Sequence, residues 1–132
     1  MAKTYALVSL LTLLALAGGT QALDEPFPLR VGESRDFEEA GLALRFTEIT
    51  SDSRCPIGVN CLVAGEARLV FQAEFGSESL ELLFQVPPAG SDKQTFDRYS
   101  VTVTAFEPQT VEGRNIAVSD YVATLLVTVQ NP

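Results

Sequence analysis

Cys55 and Cys61 are the only cysteines of the chain, with five residues between them. That spacing is not the Cys-x-x-Cys of redox enzymes. A zinc site would need both thiols reduced, and the chain has no histidine to complete it. The lack of histidine also removes the usual general base and the usual proton shuttle. Ser-His-Asp and Cys-His nucleophiles go with it. A copper site is equally poor, since Met1 is the sole methionine. Carboxylate chemistry remains: paired Asp and Glu residues hydrolyse glycosides when held a few ångströms apart. No spacing here marks such a pair, and tryptophan, the common sugar platform, is absent. The expectation is a chain without cofactor that is not an enzyme.

Around the cysteines runs Asp52-Ser53-Arg54-Cys55-Pro56-Ile57-Gly58-Val59-Asn60-Cys61. Pro56 fixes one φ, Gly58 permits a tight bend, and a disulfide would restrain the ends. Asp52 is placed to cap a turn or to pair with Arg54. Two readings stay open. In one, the segment only connects two strands. In the other, Asp52, Arg54, Pro56, Ile57, Gly58, Val59 and Asn60 form a preorganised loop for a protein or glycan partner. Preorganised loops lose less entropy on binding. A narrower form is a peptidase inhibitor that offers Ile57-Gly58-Val59, within loop 55–61, to a protease cleft. Asp52, Glu66, Glu112 and Asp120 flank loops and are candidate calcium ligands, because calcium takes several oxygens. No Asp-x-Asp-x-Asp-Gly string supports them.

The elements that hold this loop read as strands. Apolar residues alternate with polar ones in short runs broken by Gly, Pro, Asp and Ser. Leu23–Pro28 reads as a flexible lead-in. Short strands are expected at Leu29–Val31 and Ser34–Glu38. Leu42–Ile49, Glu66–Phe75, Leu80–Val86, Tyr99–Glu107 and Tyr121–Val129 alternate most clearly, with a shorter piece at Gln94–Phe96. Gly76-Ser77 suits a hairpin turn, and Pro87-Pro88 end a strand because proline cannot donate into a ladder. No stretch has helical period. The predicted fold is all-β: an antiparallel two-sheet sandwich, immunoglobulin-like, of about seven or eight strands. Asp120-Tyr121-x-Ala123 matches the tyrosine corner of such sandwiches in outline. A closed small barrel is the alternative.

The N-terminus reads as a leader. Lys3 gives a positive start, Tyr5–Ala17 is apolar, Gly18-Gly19 break the run, and Thr20-Gln21-Ala22 is a small-x-small cleavage pattern. The apolar run falls short of the roughly 20 residues a membrane span needs. Residues 1–22 are therefore expected to be a signal peptide and 23–132 one domain, periplasmic or extracellular. No cysteine sits just beyond the apolar run, so a lipid-modified N-terminus is not expected. Export makes pairing of Cys55 with Cys61 the simple reading. Closing so small a ring contributes about 2–2.5 kcal/mol. Lys3 leaves with the leader, so eight basic residues face all 17 acidic ones and the formal charge moves from −8 to −9. Such a surface repels phosphate backbones, so nucleic acid is excluded as a partner. Nothing asks for an oligomer, and a monomer is expected.

The segment Asp52-Ser53-Arg54-Cys55-Pro56, then Cys61, then Ala64-Gly65-Glu66-Ala67, resembles a motif of uncharacterised small bacterial secreted proteins and lipoproteins. The likeness runs from Leu29 to Val129. Many members carry tryptophan just before the Ala-Gly pair, where this chain has Val63. The resemblance implies an exported β-sandwich and no activity.

Overall fold

Side chains of an extended strand point alternately to its two faces, so each alternating run offers one apolar face for burial. In the computed structural model, which describes residues 18–130, these faces meet as two sheets around one core. Nine strands form: β1 (Gly18–Thr20), β2 (Phe27–Leu29), β3 (Ser34–Phe37), β4 (Leu42–Asp52), β5 (Ala67–Phe75), β6 (Glu78–Val86), β7 (Asp92–Phe96), β8 (Tyr99–Glu107) and β9 (Val122–Val129). The first sheet has the order β1-β3-β4-β5-β6 and the second β2-β9-β8-β7. All pairings are antiparallel except β1 with β3. Two short 3-10 turns, Glu38–Ala40 and Val118–Asp120, are the remaining regular elements.

The two-sheet antiparallel sandwich is the expected architecture. Its strand order is a meander: sequence neighbours pair within each sheet, and β2 closes the second sheet by pairing with β9. The Greek-key crossing of immunoglobulin domains is not the route taken. One short strand, β1, precedes the expected set. Phe27 and Leu29 are fully buried, so the expected lead-in is core and its strand sits two residues earlier than alternation suggested. Pro28 between them lies on an edge strand, where its missing N–H costs no ladder bond.

Much of the expected leader, residues 1–17, lies outside the described residues. Gly18–Thr20 also belongs to that leader, yet pairs in parallel with Ser34–Asp36. The expected cleavage after Ala22 would remove β1 and leave β3 as the sheet edge.

Both sheets supply aromatic and aliphatic side chains to the core, with a cluster of three phenylalanines at the centre of the first. Phe46 and Phe71 are cross-strand partners whose rings stack at 4.4 Å, and Phe84 meets Phe71 edge-on at 5.3 Å. Val101, Val103, Leu125 and Val127 face them from β8 and β9, all fully buried. Near its end β4 shifts register twice, between Phe46 and Glu48 and between Ile49 and Ser51. Bulges of this kind bend a strand and re-aim its side chains. They bring Asp52 to the end of the sandwich shared by the 53–66 and 108–121 loops. Phe71→Ala is expected to cost about 3–5 kcal/mol, read as a lowered denaturant midpoint, because two ring contacts and a filled volume vanish together.

Candidate functional site

The loop between β4 and β5 leaves and re-enters the sheet through a narrow neck. Ser53 N–H donates to the Glu66 carbonyl at 2.9 Å, and Cys55 N–H to the Ala64 carbonyl at 2.7 Å. The neck is tight enough to dictate a glycine. Gly65 sits at φ +72°, and a Cβ there would lie 1.8 Å from the Ser53 carbonyl oxygen. Above the neck, Cys55 and Cys61 form a disulfide with a Cα–Cα separation of 5.9 Å. Pro56–Val59 is a tight turn: Val59 N–H donates back to the Pro56 carbonyl, and Gly58 takes φ +80°. Glycine favours that left-handed region.

Below the turn lies a buried charged cluster. Arg54 is 4 % exposed. Its Nε and Nη2 each donate to one oxygen of the Asp52 carboxylate at 2.8 Å, a two-pronged pair. Nη1 donates to the Phe106 carbonyl at 3.1 Å and Nη2 also to the Pro108 carbonyl at 2.9 Å. The guanidinium lies 4.8 Å from the centre of the Phe106 ring. Tyr121 completes the set. Its hydroxyl donates to Asp52 Oδ2 at 2.9 Å, while its ring stacks on Phe106 at 5.0 Å and nearly parallel. A second tie runs above: Thr110 Oγ1 donates to the Arg54 carbonyl, and Ile57 N–H to the Thr110 carbonyl. The loop of the first sheet is thus fastened to the β8–β9 connection of the second.

Burial pushes the Asp52 carboxyl up. The hydrogen bonds of Arg54 and Tyr121 and the charge of Arg54 outweigh that and hold it below its ordinary value. Tyr121 moves the other way, to about 12, because burial and the neighbouring Asp52 both oppose a phenolate. These groups satisfy one another, and among the described residues no buried side-chain polar atom lacks a partner. The cluster offers no free base or nucleophile and acts as a clamp.

The structure divides the residues expected to form the loop site. Asp52 and Arg54 belong to the clamp and are withdrawn from any partner. Pro56 and Val59 are half-buried, while Ile57, Gly58 and Asn60 are exposed. The four candidate calcium ligands do not converge. Asp52 is held by Arg54 and Tyr121, Glu66 faces Arg68 at 3.1 Å, and Glu112 and Asp120 lie exposed on the other loop. Among the described residues no three His, Cys, Asp or Glu side chains gather as a metal site. Tyr121 does not form the expected tyrosine corner: its hydroxyl reaches a carboxylate 69 residues away rather than nearby backbone.

The neighbours of the cystine ring are the part that the sequence pattern did not single out. Leu62 and Val63 are the most exposed large apolar residues described, at 106 % and 77 %. Ile57 is 60 % exposed and pairs by a parallel bridge with Val111, at 39 %. Aliphatic side chains from two loops therefore crown one end of the sandwich. No family model, curated protein or solved structure matches the chain.

Removing Arg54 strands a carboxylate against apolar rings. Arg54→Met is expected to cost about 3–5 kcal/mol, more than the roughly 2 kcal/mol expected for Cys55→Ser with Cys61→Ser; denaturant titration compares them. The pH profile follows from the two displaced acids. Folded Asp52 gives up its proton more readily than the unfolded residue, so its contribution is complete above the ordinary carboxylate pKa. It is lost as pH falls through the depressed folded value, and Asp52→Asn flattens that acid limb. Folded Tyr121 keeps its proton longer, so stability falls as pH rises from 10.0 to about 12. Tyr121→Phe flattens that limb.

Proposed function

We propose that the protein is an exported recognition module, working in the periplasm or outside the cell, that binds a protein partner through its cystine-loop end. The observation that carries this is the full exposure of Leu62 and Val63 on a loop whose neck is immobilised. Exposed aliphatic side chains in a group are uncommon on soluble domains and mark contact surfaces. Rigid roots reduce the ordering cost of contact. The leader-like N-terminus, the disulfide and the strongly acidic composition suit an exported, soluble protein. Among the described residues no helix is long and apolar enough to cross a membrane.

The glycan form of the reading has less support. Sugar sites use accessible aromatic rings, and Phe and Tyr rings among the described residues are buried or half-buried. The inhibitor form also fares poorly. A protease cleft takes an extended segment, whereas Ile57-Gly58-Val59 lies in a closed turn whose Ile57 N–H is already bonded to Thr110.

Leu62→Asp with Val63→Asp tests the reading. Both side chains are solvent-exposed, so the melting curve should stay within about 0.5 kcal/mol of the parent. Capture of a partner from the native envelope fraction and culture medium should be lost. Equal capture by parent and variant would place recognition elsewhere on the molecule.

A further inference from the structure

The N-terminal segment carries two small-x-small patterns. One is Thr20-Gln21-Ala22, the expected cleavage pattern. The other, read from the sequence alone, is Ala15-Leu16-Ala17, which ends five residues earlier. Both suit a signal peptidase, which needs small side chains one and three residues before the cut. A cut after Ala17 leaves Tyr5–Leu14, ten residues, as the apolar stretch of the leader. Such stretches run to roughly 7–15 residues. Composition therefore serves either cut, and the fold separates them.

Residues 18–24 behave as part of the domain. Gly18–Thr20 pairs with Ser34–Asp36. Gln21 N–H donates to the Asp36 carbonyl at 2.8 Å, which extends the contact with β3 past the strand. Three residues on, Asp24 N–H donates to the Val127 carbonyl at 2.9 Å, on β9 of the other sheet. Asp24 turns the chain there at φ +64°, and Leu23 packs against the core. The segment thus crosses from the first sheet to the second. The Ala22–Leu23 bond lies in the middle of that crossing. A cut there discards the half anchored on β3. It starts the chain with an ammonium on Leu23, beside apolar packing where a charge is disfavoured. It also bares the backbone groups of β3, a template for pairing with other chains. A cut after Ala17 does none of this. It keeps β1, and a very short edge strand is one of the devices that blunt a sheet edge.

We propose that the leader is removed at the Ala17–Gly18 bond, and that Gly18–Ala22 stays in the exported protein as the edge of the first sheet. Hydrolysis adds one water across that amide, leaving a carboxylate on Ala17 and an ammonium on Gly18. The proposal rests on the export part of the reading above and is independent of what the cystine loop binds.

The test is the intact mass and N-terminal sequence of the protein recovered from the envelope fraction and medium of its native host, made there from the full chain. The expected result is loss of residues 1–17, with Gly18 first. Ala17→Gln puts a large side chain directly before the cut and should abolish that product. Ala22→Gln should change the mass only by the substitution. A chain that begins at Leu23 overturns the proposal and leaves export standing. So does a Gly18 product that survives Ala17→Gln. A chain that keeps residues 1–17 overturns both the proposal and the leader on which export was argued. The second readout is amide hydrogen exchange on the exported protein. Gln21 and Asp24, the two donors of the crossing, should exchange more slowly than in an unstructured chain. Free exchange at both overturns the retained edge.

Discussion

Arg54 has been taken out of water, and most of the cystine-loop end follows from how that burial is balanced. A guanidinium in an apolar setting is costly unless its donors are met and its charge is opposed. Here Asp52 opposes the charge, two backbone carbonyls from the end of β8 accept further hydrogen bonds, and the Phe106 ring covers one face. These partners come from two separate parts of the chain, and Tyr121, which donates to Asp52 from the entry to β9, adds a third. Satisfying one side chain therefore fixes the exit of β4, the end of β8 and the entry to β9 relative to one another. The two sheets share a core along their length, but at this end they are joined by a polar knot.

The cystine ring rests on that knot and contributes little to holding the sheets together. Its closure is local, whereas the bonds through Arg54 and Thr110 cross from one sheet to the other. The division suits a binding tip. Alignment of the loop comes from the clamp and from the neck at Gly65. The ring sets the shape of the tip and leaves Leu62 and Val63 just outside it, free of packing. A polar cluster whose buried atoms all have partners also explains why Asp52, a calcium candidate from the sequence, is not free to take a ligand.

The sheets were legible because period-two alternation is a direct image of burial. Leu42, Leu44 and Phe46, then Ala67, Leu69, Phe71 and Ala73, are the alternate apolar positions of two of the expected strands, and all are fully buried. The pairing of Cys55 with Cys61 and of Asp52 with Arg54 was legible from proximity. What could not be read was long-range. Tyr121 and Phe106 lie 69 and 52 positions from their partners Asp52 and Arg54, and no spacing rule links them. Strand order was hidden for the same reason, since meander and Greek key place the same alternation in the same strands. Phe27 was missed because proline and acidic neighbours mark a loop, while the core needed one more ring, which packs 5.4 Å from Phe37. Leu62 and Val63 read as ordinary apolar residues, and their exposure appears only once the neck turns them away from both sheets.

The pairing of β2 with β9 has a mechanical side. The two strands are antiparallel, and Phe27 at the start of β2 lies opposite Leu125, with the chain leaving β9 at Val129 on that same side. Tension drawn between the ends of the domain therefore opens this seam from one side, bond after bond, as a zip opens. It does not load the bonds together in shear. A domain tethered by both ends would yield first at β2, while the clamp at the far pole is still closed.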